Sequence, residues 1–445
     1  MLDILRQRTY RHLFAAQVIA LIGTGLATVA LGLLAFDLAG QEAGIVLGAA
    51  LAIKMVAYVG VATVAAALAQ QWPRRAVLVA LDLVRAAVAL ALPFVTQVWQ
   101  IYVLIFVLQA ASAAFTPTFQ ATLPEVLPDE RDYTRALSLS RLAYDLESLL
   151  SPALAAVLLT VIGFHDLFAG TVLGFLASAL LVTSVALPPS ASVKERGLYE
   201  RTTRGLRIYL ATPRLRGLLA VGAATAAAGS MVFVNTVVLV QGQWGLSAAA
   251  QAWALAAFGG GSMAVALVLP RLLERWPDRP VMLVGAMVMA LSVLGGSAID
   301  DYRGLLALWV VAGLGYSAAL TPSGRLLRRS SQPADRPALF AAQFALSHAA
   351  WLVCYPLAGW LGARLGLSWT FVAMGVLAVL ASLMAARLWP ADDPDALDHA
   401  HPGLDPQHPH WREAERSGES VAHRHPYRID DLHLHWPERR PPPTP

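Results

Sequence analysis

A dozen apolar runs, each close to 20 residues long, leave this chain few ways to fold. In hydrocarbon every backbone N–H and C=O must find a partner within the protein, which restricts a spanning segment to a helix or a closed barrel. About 20 residues cross ~30 Å of hydrocarbon as a helix. The runs fall at 13–36, 44–69, 76–96, 98–118, 136–162, 167–187, 217–240, 248–269, 281–299, 304–322, 338–361 and 368–389. Only 14% of the 445 residues are charged, where soluble domains carry about 25%. The expected fold is therefore an all-α membrane protein of twelve transmembrane helices. Its first run begins behind Arg6, Arg8 and Arg11, ends in Phe36-Asp37, and reads as an uncleaved span.

Charge gives the expected orientation. With the N-terminus inside, the inner segments hold Arg6, Arg8, Arg11, Arg74, Arg75, Arg131, Arg135, the run Lys194 to Arg216, Arg271, Arg275, Arg279, Arg325, Arg328, Arg329 and Arg336. The outer loops hold Arg303 and Arg364 alone. This asymmetry obeys the positive-inside rule and predicts two cytoplasmic termini.

The longest polar interruption, 188–216, divides the body into bundles of six helices at 1–187 and 217–390, ahead of a tail at 391–445. A shift of 204 residues lays Gln71-Trp72-Pro73-Arg74-Arg75-Ala76-Val77 over Arg275-Trp276-Pro277-Asp278-Arg279-Pro280-Val281, and Pro152 over Pro356. Thr116-Pro117 matches Thr321-Pro322 with one further residue of shift. Matching turns at half-length spacing indicate two repeats, as in rocking-bundle secondary transporters.

These features resemble the major facilitator superfamily over roughly residues 8–390. The family pattern between helices 2 and 3, Gly-x-Leu-Ala-Asp-Arg-x-Gly-Arg-Arg, is matched by Ala66-Ala67-Leu68-Ala69-Gln70-Gln71-Trp72-Pro73-Arg74-Arg75. Both arginines are kept while Gln70 replaces the acidic gate residue, so a charge-relay gate at this loop does not carry over. Phe14-Ala15-Ala16-Gln17, Gly23-Thr24-Gly25, Asp37 and Asp82-Leu83-Val84-Arg85-Ala86 resemble the drug:proton antiporter branch, which includes macrolide and siderophore exporters. A body of this type ending in a His-rich tail is similar to bacterial nickel-resistance exporters. The resemblance implies gating or structural roles for Asp82, Arg85, Arg74 and Arg75.

Ionisable groups inside spans are costly, by roughly 2.5–3.5 kcal/mol each on insertion scales, and usually face a cavity or a partner. Lys54 lies deep in the second run, as a cavity cation or as half of a fixed ion pair. Arg141 and Asp145 are four apart and share a helix face, so they can pair. Glu147 points about 200° away from Asp145 and cannot join them. It is a candidate for proton or cation handling, as is Asp145. His348 falls on Tyr144 under the repeat shift, beside Asp145, and is either a ligand or proton carrier or a packing histidine. Asn235, near Met231, either lines the cavity or bonds a neighbouring helix. Cys354 is the sole cysteine and reads as a small buried residue. Gly259-Gly260-Gly261 sits inside a span and suits close helix packing rather than nucleotide binding.

Eight of the eleven histidines lie in the tail, as the pairs His399/His401, His408/His410, His423/His425 and His433/His435. In an extended chain residues i and i+2 point the same way, so each pair sets two imidazoles side by side. Imidazole suits Ni, Zn, Cu and Co. Asp398, Asp405, Asp430 and Asp431 are candidate oxygen ligands. The tail has too few apolar residues for a core and is expected to be disordered, although 427–437, richer in apolar residues, can dock on the body. Metal capture is expected to weaken below about pH 6.5, as imidazoles protonate.

The chain lacks a Gly-x-x-x-x-Gly-Lys-Ser/Thr loop and any Ser/His/Asp grouping, so neither an ATPase nor another enzyme is expected. The expected function is proton-coupled efflux of nickel, or also cobalt, from a bacterial inner membrane. The alternative is a drug or siderophore exporter with an accessory tail. The expected partners are lipid, protons and the cargo, with no cofactor and no nucleic acid, and the working unit is expected to be a monomer.

Overall fold

A computed structural model describes residues 2–39, 43–188, 197–401, 410, 415–416 and 422–437. The first half holds α1 (Arg8–Ala39), α2 (Ala43–Ala69), α3 (Arg74–Ala91), α4 (Val98–Val126), α5 (Glu130–Leu158) and α6 (Phe164–Thr183). A short α7 (Leu198–Ala211) lies in the linker. The second half holds α8 (Pro213–Ser230), α9 (Ala248–Arg275), α10 (Asp278–Gly295), α11 (Tyr302–Leu320), α12 (Ser323–Arg329), α13 (Arg336–Leu365) and α14 (Leu367–Leu388). α8 runs on through π-helical turns at Met231–Asn235 and Val238–Gln243.

Eleven of the described helices are long and apolar enough to cross a membrane. The one remaining span of the expected twelve is α5, whose Arg141, Asp145 and Glu147 keep it from counting as apolar. The repeat is visible in the helix starts: α3 begins at Arg74 and α10 at Asp278, and α4 at Val98 and α11 at Tyr302, each pair 204 residues apart. Local chemistry sets these starts. Pro73 and Pro277 precede α3 and α10 in extended conformation. The Asp129 carboxylate accepts from the Asp132 amide at the head of α5, and Asp301 accepts from the Gly304 amide at the head of α11.

Each half has its own core. In the first, α1 packs on α5 and α6, and α4 on α2 and α3. In the second, α11 packs on α9 and α10, and α14 on α8 and α10. Gly261 of α9 meets α11 so closely that a Cβ there would lie 2.1 Å from the Val310 carbonyl, and a Cβ at Gly313 would lie 1.9 Å from that of Phe258. Within the glycine cluster Gly261 serves helix packing, as expected, whereas Gly260 has open space beside it.

The halves meet through α2 with α13, α5 with α9, and α4 with α13. One set of polar contacts between them gathers at the arginine-rich face. Arg325 of α12 pairs with Asp278 at 2.8 Å in its own half and with Glu130 and Thr134 across the gap. Arg328 donates to the Pro128 carbonyl and lies over the Tyr133 ring.

The tail corrects the expectation of disorder among its described residues. β1 (Ala396–Ala400), β2 (Glu415–Arg416) and β3 (Ala422–Pro426) form an antiparallel sheet in the order β1-β3-β2, with His399 opposite His423. The tail need not supply a core, because it borrows one. Tyr427 and Ile429 are buried with Leu215 and Trp389 of the second half, and Trp436 packs against them. Charge fixes both ends: Asp393 pairs with Arg214 at 3.2 Å and Arg329 at 3.1 Å, and Asp431 with Arg204 at 2.8 Å. The expected docking of 427–437 is present.

Candidate functional site

Two places gather chemistry-bearing side chains. The first is the docked tail. Alternation along β1 and β3 puts His399 and His401, and His423 and His425, on one side of the sheet. His410 and His433 reach the same spot from outside the strands. The described imidazoles form two four-residue sets, His399/His410/His423/His425 and His399/His401/His410/His433, within each of which the ligand atoms lie within 4.8 Å of one another.

The tautomers of three rings follow from their partners. His399 Nδ1–H donates to the Leu397 carbonyl at 2.9 Å, and His425 Nδ1–H to the Pro426 carbonyl at 2.9 Å. His433 Nδ1–H donates to the Asp430 carboxylate at 2.9 Å. With Nδ1 engaged in this way, Nε2 is the atom each ring turns toward its neighbours. The Nε2 atoms of His399 and His433 stand 3.0 Å apart. Such an approach is held by a proton shared between the two rings or by a cation that both nitrogens bind, and the carboxylate–imidazole arrangement at Asp430 is the usual outer support of a metal-binding histidine. Burial pushes the His399 imidazole down to about 3, and neighbouring histidines push it the same way. Burial, again with its neighbours, pushes His410 down to about 4. Neutral, metal-binding forms are thus favoured.

His435 belongs to neither set, and its carbonyl accepts from the Tyr427 hydroxyl at 2.7 Å. His408 and Asp405 lie outside the described residues. The expected oxygen ligands are corrected. Asp430 supports His433 from behind, where hydrogen bonds from that residue outweigh burial and hold its carboxyl below the usual value. Asp431 anchors to Arg204, and Asp398 is exposed.

The second place is at membrane depth. Arg141 pairs with Asp145 through two contacts, one of them 3.1 Å, as their four-residue spacing predicts. Arg141 also donates to Ser262 of α9 at 3.0 Å and lies 4.4 Å from the Tyr316 ring, which ties the halves together. Glu147 points elsewhere, half-buried, and interacts electrostatically with Lys54. Lys54 stands 5.5 Å from the Tyr58 ring, and His348 meets that ring edge-on at 4.7 Å. His348 Nδ1–H donates to the Phe344 carbonyl at 2.7 Å, and the ring packs on Phe344 at 4.2 Å.

The remaining candidates lie apart from this group. Asn235 donates to the Ala358 carbonyl at 3.3 Å and joins α8 to α13. Asp82 pairs with Arg85 and accepts from Ser178 at 2.7 Å, while Arg85 is held between Phe115 and Phe175. Arg74 forms a two-point pair with Glu125 at the end of α4, and Arg75 is exposed. Cys354 is buried in the second-half core. Sequence reasoning missed Tyr58, Ser262 and Tyr316. Tyr58 was within reach, since it lies one helical turn from Lys54; the other two required knowledge of which helices meet.

Comparison with known proteins agrees with this architecture. A family model described as the Major Facilitator Superfamily matches residues 13–242 and 219–418. An uncharacterized MFS-type transporter, YfiS of Bacillus subtilis, is 24% identical over 46% of this chain and 50% of its own length. Macrolide efflux protein A of Streptococcus pyogenes is 28% identical over 26% of this chain and 29% of its own length. The matched segments thus span half or less of these curated relatives. The human organic anion transporter MFSD10 superposes with a TM-score of 0.74 at 11% identity, covering 85% of this chain and 99% of that one. The proton:xylose symporter XylE gives 0.69 at 14% identity, covering 86% and 96%. With its repeated six-helix halves and matched family model, the chain belongs to the major facilitator superfamily and has the multi-pass membrane fold of its transporters.

Proposed function

We propose that this transporter exports a divalent transition metal, nickel or cobalt, from the cytoplasm across a bacterial inner membrane in exchange for protons. The arginine-rich face and the docked tail lie on the cytoplasmic side in this reading, so the tail meets cargo where an exporter collects it. One observation carries it: the described tail imidazoles gather into two four-histidine sets, within each of which the ligand atoms lie within 4.8 Å of one another. Asp145, Glu147 and His348 are the groups that exchange protons or cargo within the bundle, with Lys54 as a movable counter-charge to Glu147.

A second reading, efflux of a drug or a siderophore with an accessory tail, is favoured by the bundle itself. The surroundings of Lys54 and His348 are aromatic, through Tyr58 and Phe344, and Arg141 is matched by Asp145 on its own helix. The likeness to macrolide efflux protein A points the same way.

The two readings separate in everted membrane vesicles energised by a proton gradient and offered Ni²⁺, Co²⁺, Zn²⁺ and a cationic dye. Gradient-driven accumulation of Ni²⁺ or Co²⁺ is expected. Dye accumulation with no metal accumulation would reverse the order of the two readings.

A further inference from the structure

We infer that metal held by the set His399, His401, His410 and His433 clamps the tail onto the arginine-rich end of the second half, so that metal occupancy is felt by the linker helix α7 and by α12. This rests on the reading of the tail as a metal site, and adds what one of its two ligand sets regulates.

The two sets differ in what assembles them. His399, His423 and His425 belong to the paired strands β1 and β3, so the sheet itself gathers most of the set His399/His410/His423/His425. The other set needs His433, which lies beyond the sheet in the stretch that docks on the body. There the ligand and the anchors share one turn. Asp430 Oδ1 accepts from the His433 amide and ring at 2.8 and 2.9 Å, while its Oδ2 accepts from Gln332 of the body at 2.9 Å. Asp431, the next residue, pairs with Arg204 of α7 at 2.8 Å. A movement of His433 is thereby passed to two contacts with the body.

The anchors also bracket the ligands along the chain. Ahead of His399, Asp393 pairs with Arg214 at 3.2 Å and with Arg329 at 3.1 Å. Arg214 is only 1% exposed, and the tail supplies its matching carboxylates, Asp393 and Asp395, together with the Trp436 ring at 5.3 Å. Bringing the ends of a flexible loop together costs entropy. Docking closes the loop from Asp393 to Asp431, and a metal joining His399 to His433 closes nearly the same loop. Whichever forms first bears the closure cost of both. Docking and metal binding are therefore favourably coupled, and each strengthens the other by the same factor.

Two elements of the body take part. Arg204 of α7 is held both by Asp431 and, at 2.5 Å, by Asp335 at the head of α13, so docking fastens the linker to the second half. Arg329 ends α12, whose Arg325 and Arg328 reach the first half. A metal-loaded tail holds the linker and α12 together.

The test is hydrogen exchange of the purified full-length protein in detergent, with and without Ni²⁺, while calorimetry follows binding of the ion. In the parent, Ni²⁺ should slow exchange across residues 427–433 and along α7 about fivefold or more. His433→Ala should still bind Ni²⁺ through the sheet-built set yet lose that protection, whereas His423→Ala/His425→Ala should keep it. Binding without protection in the parent, or equal protection in His433→Ala, would overturn the inference and leave the tail's metal role standing. The coupling is also read in the other direction with Trp436→Ala, which loosens the dock and removes no histidine. In the His423→Ala/His425→Ala background it should weaken Ni²⁺ binding about fivefold or more; unchanged affinity contradicts the coupling. A parent that binds no Ni²⁺ would overturn the tail's metal role, and this inference with it.

Discussion

The docked tail and the polar group at membrane depth both collect ionisable side chains, but they resolve their charge in opposite ways. In the bundle, cations and anions face one another: Arg141 lies against Asp145, and Lys54 acts on Glu147. In the tail, imidazoles turn their Nε2 atoms toward one another, and the Asp430 carboxylate stands behind His433. Inside a membrane an unmatched charge is expensive, so the bundle neutralises itself and can stay empty. The tail lies outside the spans, where water is available, and its imidazoles gather without an opposite charge among them. The difference suggests a division of labour in which the tail discriminates among cargoes and the bundle moves them.

The largest effect should come from breaking the neutrality of the bundle. Arg141→Ala leaves Asp145 buried without its partner and should cost about 3–5 kcal/mol, read from unfolding in detergent. Arg141→Gln combined with Asp145→Asn should recover most of that loss. If the single variant proves as stable as the parent, the bundle charge is not internally matched and the comparison fails.

Next comes the tail. His399→Ala removes a donor common to both ligand sets, and should lower metal affinity by more than the roughly 10–100-fold loss typical of an outer-shell partner. Calorimetric titration measures the affinity, and thermal unfolding of the helical body should stay unchanged. A parallel drop in body stability would show that the two regions are one unit.

Asp430→Asn sharpens the same point at smaller scale. The amide keeps an acceptor oxygen but loses the charge behind His433, so affinity should fall roughly tenfold. A loss as large as that of His399→Ala would make Asp430 a direct ligand.

The smallest effect belongs to the anchor. Arg329 is partly exposed, and its pairs with Asp393 and Asp395 should be worth about 1 kcal/mol or less. Arg329→Ala should therefore speed hydrogen exchange in β1 and β3 about fivefold, with little change in the bundle. Faster exchange at Glu130 and Thr134 as well would reveal coupling through α12, which carries Arg325 and Arg328 to the other half.

Much of this was legible in the residues. The spans expected at 76–96 and 248–269 correspond to helices beginning at Arg74 and Ala248, because hydrocarbon thickness sets length and proline or Ser247 sets the start. The Arg141–Asp145 pair follows from helical periodicity alone. That Glu147 faces away from Asp145 was equally readable; that it interacts electrostatically with Lys54 was not, since Lys54 sits about 90 residues earlier. The tail shows the same limit. Alternation predicts two imidazoles per His-x-His pair, which holds for His399/His401 and His423/His425, but not for His433/His435, where the second ring joins neither ligand set.

What the sequence alone determined was everything governed by short-range rules: helix number and length, the twofold repeat, the pairing of neighbours one turn apart, and the enrichment of metal-loving side chains at one end. Tertiary structure decided which of those side chains meet. It ordered a tail too poor in apolar residues to fold alone, because Tyr427 and Ile429 found a core already built by α8 and α14, and Arg204, Arg214 and Arg329 were waiting for its aspartates. Composition describes what a segment carries within itself. It does not describe the surface another part of the chain will offer, and on that surface the tail histidines gather into two overlapping sets.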